Sequence, residues 1–118
     1  MNRRTAIDRA ADGAGGREAT APDLRPVEGA DADVELGVLA KALGHPARVR
    51  IVRLLRSREG CSVGELTAEL GCAQSTTSEH MRLLRDAGLV FLDGDGPRGD
   101  YVIDVHRVRR LKALVGSL

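Results

Sequence analysis

Apolar residues recur at helical spacing in five stretches of the chain, separated by Gly, Pro and short polar breaks. Leu36, Leu39, Ala40 and Leu43 predict a first helix over residues 33–43, capped by Asp31 or Asp33 and ended by Gly44. A second helix starts at Pro46, a residue suited to the first helical position, with His45 just before it. Ile51, Val52, Leu54 and Leu55 form its inner stripe, and Arg48, Arg50, Arg53, Arg56 and Arg58 spread round the remainder. Ser62 and Glu65 have the S-x-x-E spacing of a capping box, so a third helix begins there. Val63, Leu66 and Leu70 point inward from it, and Gly71 supplies a left-handed exit. A fourth helix runs from Ala73 or Gln74 to Ala87, with Gly88 at its end. Stepping by one hundred degrees per residue puts Thr77, Met81 and Leu84 on its core side, beside His80 and Ala87. Ser75, Glu79, Arg82 and Asp86 face the opposite way, with Gln74, Ser78 and Arg85 on one flank.

The pattern then changes. Residues 89–92 and 100–104 have strand composition, and the GDGPRG run between them is a hairpin tip. A last helix follows with Asp104 as its N-cap and Val105, Val108, Leu111, Leu114, Val115 and Leu118 on a broad apolar face. The predicted order is α-α-α-α-β-β-α, a mainly α fold with a small β-hairpin wing. A short capped helix turning sharply into a second helix with a small, polar outer face is how a protein offers side chains to the DNA major groove. The first and last helices carry more apolar surface than one small core needs, which points to a homodimer joined through Leu36, Leu39, Leu43, Val108, Leu111 and Val115.

Composition divides the 118-residue chain in two. Residues 1–32 are rich in Ala, Gly, Asp and Arg with almost no large apolar groups, and read as a disordered tail. Residues 33–118 form one small domain. The tail holds five Arg and six acids, which leaves thirteen basic and eleven acidic residues in the domain, a weakly positive balance suited to a specific DNA binder rather than a purely electrostatic one. No apolar run is long enough to span a membrane and no signal-peptide core is present, so the chain reads as cytoplasmic and its two cysteines, Cys61 and Cys72, as reduced. One Phe, one Tyr and no Trp leave no stacking platform for single strands. No nucleophile, base and orienting group stand at meaningful spacing, and no phosphate-binding Gly loop is present; the chain does not read as an enzyme.

The strings LAKALGHPARVRIVRLL, SVGELTAELGCAQSTTSEHMRLLRDAGLV and GPRGDYVID, followed by a terminal helix, resemble the ArsR-type (ArsR/SmtB) winged helix-turn-helix repressors of bacteria over residues 34–115. The HMRLLRDAGLV string after a Q-S-T-x-S start is the most specific part. The resemblance implies a homodimeric transcriptional repressor on a partly palindromic operator of double-stranded DNA, released by an inducer. It places the base-facing positions on Gln74, Ser75, Thr76 and Ser78, adds Arg82, and puts Arg98 at the wing tip against a phosphate or the minor groove. Gln can pair with adenine, and Ser and Thr with base edges or phosphate. Glu79 departs from the basic or neutral residue common in the family. Residues 74–100 hold three Arg against five acids, although Glu79 can accept from a cytosine amino group.

The family's thiol sensors carry a C-x-C-type pair where this chain has Ser62 and Gly64, with Cys61 just outside. Cys72 lies about nine helical residues further on, roughly 13 Å at 1.5 Å per residue, too far for a disulfide within one chain. Asp104 and His106 match half of a second family metal site, but residues 116–118 offer no ligands for the other half. No metal or arsenite cofactor is therefore expected, and the inducer is left open. Two alternatives stand beside the repressor: a thiol (arsenite or redox) sensor of the same fold using Cys61 and Cys72, and a winged-helix protein-interaction module without DNA function.

Overall fold

Helix, hairpin and helix follow in the predicted order in the computed structural model, which describes residues 22–94 and 99–118. Helices α1 (Ala30–Ala42), α2 (Pro46–Ser57), α3 (Val63–Leu70) and α4 (Gln74–Asp86) precede strands β1 (Val90–Asp93) and β2 (Asp100–Ile103), and α5 (Val105–Gly116) closes the chain. The strands pair antiparallel, with Val90 opposite Ile103 and Asp93 opposite Asp100. On its other edge β2 meets Cys61, whose N–H donates to the Tyr101 carbonyl at 3.1 Å and whose carbonyl accepts from the Tyr101 N–H at 2.7 Å. No helix among the described residues is long and apolar enough to cross a membrane.

Most boundaries follow from caps. The Ser62 hydroxyl accepts from the Glu65 N–H at 3.1 Å and the Glu65 carboxylate accepts from the Ser62 N–H at 2.9 Å, closing the capping box. Gly71 leaves α3 at φ 69°. The Asp104 carboxylate accepts from the Arg107 N–H and starts α5. His45 caps α2 through Nδ1, which accepts from the Ala47 N–H at 3.0 Å. The start of α1 differs from expectation. It lies at Ala30, after Gly29 at φ 105°, with no side-chain cap. Asp31 and Asp33 sit inside the first turn instead, where their charge complements the helix dipole.

One core joins the helices: Leu39 of α1, Ile51 and Leu55 of α2, Leu66 of α3, Met81 and Leu84 of α4, and Leu114 of α5 are all fully buried. This divides the six residues expected at a dimer interface. Leu39 and Val108 are buried within the protomer, because α1 and α5 pack on each other in the same chain. Leu36, Leu43 and Leu111 are half-buried against the core. Only Val115 stands out, 50% exposed. The free apolar surface of α1 lies instead on Val34 and Val38, 68% and 48% exposed.

The expected tail is partly built into the fold. Residues 1–21 lie outside the described residues, but residues 23–27 dock on α5 through Arg110, whose guanidinium is only 4% exposed. It donates to the carbonyls of Arg25 and Pro26 at 3.0 and 2.7 Å and to the Glu35 carboxylate at 2.9 Å. Ser117 adds a bond to the Val27 carbonyl. Arg107 reaches Glu35 at 3.3 Å, and the paired guanidinium of Arg110 holds the Glu35 carboxyl below its ordinary range. A buried guanidinium needs a full set of acceptors, and backbone carbonyls from the incoming chain complete this one. Glu35→Ala would remove the hydrogen-bonded counter-ion of the buried Arg110 and leave it only the longer 3.8 Å ion pair with Asp23. It should cost about 3 kcal/mol in urea unfolding and open residues 22–29 to proteolysis.

Candidate nucleic-acid interface

The turn between α3 and α4 is held from inside by hydroxyls. Thr77, one turn into α4, is fully buried, and a hydroxyl there must find partners within the protein. Its Oγ1 lies 2.9 Å from Thr67 Oγ1 of α3, 3.3 Å from the Ala73 carbonyl and 3.3 Å from Cys72 Sγ. Three residues from the helix, the turn and the next helix thus meet at one atom, which fixes the angle at which α4 leaves α3. Thr77 was legible as an inward position; its bonds to Thr67 and Cys72 were not, since sequence spacing does not show which hydroxyls meet.

A second contact seats the middle of α4. His80 is buried on the inner face, its ring centroid 4.8 Å from that of His45. Arg48 of α2 lies with Nη1 3.1 Å from His80 Nδ1 and donates through Nε to the Ala42 carbonyl at 2.6 Å. An Arg donor at Nδ1 requires that nitrogen to be unprotonated. Burial, and then the neighbouring His45 and Arg48, push the His80 imidazolium below its ordinary value, against a smaller opposing pull from Glu79.

With the inner face fixed, the outer face is free. Gln74, Ser75, Thr76 and Ser78 are all exposed in the first turn and a half of α4, and none makes a side-chain hydrogen bond among the described residues. Ala73 occupies the N-cap and supplies no side-chain acceptor, so the first turn of α4 has no side-chain cap. This is a suitable place for a phosphate oxygen. Arg82 is different. Glu79 accepts from its Nη2 at 2.6 Å and Asp86 from its Nη1 at 3.0 Å. This ladder, at i,i+3 and i,i+4 spacing on an open helix face, holds the Glu79 carboxyl below its ordinary value. The excess of acids read along residues 74–100 is therefore partly neutralised locally, and Arg82 must exchange partners before it can touch anything else. Arg85 is exposed and makes no such pair. Arg98 and the wing tip over 95–98 lie outside the described residues; the strands that carry the tip do not.

The sulfur and metal candidates fall apart in space. Cys61 is buried at the edge of β2, where its backbone pairs with Tyr101, and Cys72 sits in the turn beside Thr77, both as free thiols. Asp104 caps α5 and His106 is exposed on its first turn. Among the described residues, no three His, Cys, Asp or Glu side chains converge as a metal site would require.

Known proteins share this arrangement. A helix-turn-helix domain family matches residues 43–90. The HTH-type transcriptional regulator YgaV of Escherichia coli is 37% identical over 84 residues, which span 71% of this chain and 85% of that one. A solved structure described as a possible transcriptional regulator for arsenical resistance superposes with a TM-score of 0.59 at 36% identity, covering 70% of this chain and 81% of its own. The homodimeric winged helix-turn-helix DNA-binding domain of a possible ArsR-family regulator from Mycobacterium bovis matches with a TM-score of 0.61 at 29% identity, over 74% of this chain and 80% of that domain.

Two outcomes follow from the seating of α4. Thr77→Val keeps the shape and removes the shared hydroxyl, so it should cost about 1–2 kcal/mol in stability. Protection of α4 amides from hydrogen exchange should fall with it. His80 binds a proton more readily when the chain is unfolded. Its contribution to stability is therefore full above its ordinary value of 6.5 and is lost as the pH falls toward the lower folded-state value. Thermal melts at about pH 7.5 and about pH 5.5 should show a drop that His80→Gln, which keeps an acceptor for Arg48, reduces.

Proposed function

Because this chain belongs to the ArsR-type winged helix-turn-helix transcriptional regulators, which bind DNA, we propose that it acts as a homodimeric repressor on a partly palindromic operator. The observation that carries the reading is the outer face of α4. Gln74, Ser75, Thr76 and Ser78 stand exposed and unengaged on a helix whose inner face is immobilised by Thr77, His80, Met81 and Leu84. Side chains held ready on a rigid element, with no internal bonds to break, lose little on meeting base edges.

In this reading Gln74 and Ser75 contact bases, Thr76 and Ser78 bases or phosphate, and the uncapped N-terminal turn of α4 a phosphate. Arg82 joins only where the operator offers acceptors better than Glu79 and Asp86, such as the O6 and N7 of a guanine. Arg98 belongs to the wing contact. Dimerisation uses the exposed apolar residues Val34, Val38 and Val115 together with the half-buried Leu36; the homodimeric form of the Mycobacterium bovis relative supports it. The reading assigns no metal or arsenite to the protein, in keeping with the separate packing roles of Cys61 and Cys72.

Selection of fragmented genomic DNA by the purified full chain should enrich one inverted repeat whose half-sites lie about one helical turn apart. Ser75→Ala and Gln74→Ala should each weaken binding to that site by about 1–3 kcal/mol and relax preference at single base positions. Diffuse, salt-sensitive recovery with no recurring sequence would refute the repressor.

A further inference from the structure

A cavity of about 430 Å³ opens between the end of α1, the outer side of α2 and the middle of α5. Its size falls within the roughly 300–1,000 Å³ of small-molecule sites. Val52, Leu89, Val108 and Leu111 make an apolar floor, and Arg53, Arg56 and Lys112 are its charged lining residues. No acid lines the cavity. None of the three cations has a hydrogen bond or ion pair among the described residues. Seven of the other described arginines are engaged: Arg25, Arg48, Arg50, Arg58, Arg82, Arg107 and Arg110 each hold an acid, a carbonyl or a ring nitrogen, whereas Arg85 and Arg109 stand on open helix surface and do not line the cavity. Unpaired cations beside a concave apolar floor complement a molecule with a greasy body and one anionic head. Two guanidiniums a helical turn apart suit a carboxylate.

We infer that this cavity binds an amphipathic organic carboxylate, such as a medium-chain fatty acid, and that this class of molecule is the inducer. The inducer role rests on the repressor reading above; the binding site does not. The physical link is α2. The helix that lines the cavity with Val52, Arg53 and Arg56 also carries Arg48, which holds His80 of α4. A ligand that favours one placement of α2 against α5 thereby biases the seat of the DNA-facing helix.

The test is calorimetric titration of the purified full chain, free of DNA, with decanoate and with decan-1-ol. Decanoate should bind saturably at one site per protomer, and the alcohol, lacking the charge, about tenfold or more weaker. The Arg53→Gln, Arg56→Gln double variant should lose about tenfold in decanoate affinity while its circular dichroism and melting stay unchanged. If that variant misfolds, Lys112→Gln, on the exposed side of α5, should show a loss in the same direction. Absence of saturable binding, equal binding of the alcohol, or full affinity in folded charge variants would overturn the site. A cavity filled by a second copy or by residues 1–21 would give the first of these results. On the selected operator, decanoate should weaken DNA binding by the same factor by which DNA weakens decanoate binding. Unchanged operator affinity at saturating decanoate would overturn the inducer role. A chain that takes decanoate and yet enriches no operator would count against the repressor and uphold the cavity.

Discussion

The Thr77 hydroxyl is fully buried, and its demand for hydrogen-bond partners organises the helix-turn-helix. Apolar packing of Leu66, Met81 and Leu84 holds α4 near α3 and favours a range of crossing angles, which directional contacts narrow. A hydrogen bond is directional, and Thr67 on α3 is placed to meet Thr77 on α4 at 2.9 Å. Cys72 closes the same cluster from the turn. In the middle of α4, the Arg48–His80 contact plays the same part toward α2. Gln74, Ser75, Thr76 and Ser78 on the outer side of α4 can stay free of internal bonds because these inner polar contacts help determine where the helix lies.

That division of faces also explains the electrostatics. A helix meant to meet a polyanion would gain attraction from unpaired cations, yet Arg82 is held between Glu79 and Asp86. An exposed ladder of this kind adds little to stability. In the proposed DNA complex, pairing would withhold Arg82 from indiscriminate phosphate attraction and make its release conditional on a good acceptor. Specificity gained by weakening the wrong complex costs some affinity for the right one. The near-neutral charge of the whole chain fits a protein whose selectivity depends on such exchanges more than on net charge.

Local chemistry was legible in the sequence wherever cause and effect lie within one turn of chain. The Ser62–Glu65 box, the Gly71 exit, the Asp104 cap and the inward set Thr77, His80, Met81, Leu84 and Ala87 all stand where spacing placed them. What depends on contacts between distant segments was not. Nothing local marks Arg110 as buried; it is so because residues 25–26, some 85 positions away, bring their carbonyls to it. For the same reason α1 starts earlier than Asp33, since the strapped segment delivers the chain to Gly29. The apolar stripes of α1 and α5 predict one interface, but spacing does not show that their mutual packing inside the protomer takes Leu39 and Val108 and leaves Val34 and Val38 outside. The Glu79–Arg82–Asp86 ladder had the right spacing to be found and was read instead as an excess of negative charge.

Helix α2 is the element on which the remaining questions converge. Its N-terminus is fixed by His45, its first turn holds α4 through Arg48, and its inner stripe is anchored by Ile51 and Leu55. Its outer side, with Val52, Arg53 and Arg56, borders the cavity that lies between it and α5. Close-packed contacts transmit a displacement, whereas an unfilled cavity accommodates one. In the proposed complex a ligand filling the cavity would touch α2 on its side toward α5, and the Arg48 contact links the same helix to α4. A change on the far side of α5 would meet Arg107 and Arg110, clamped to Glu35 and the strapped N-terminal segment, and would be resisted there. Helix α5 is thus tied on one flank to Glu35 and to residues 25–26, and borders open space on the flank toward α2.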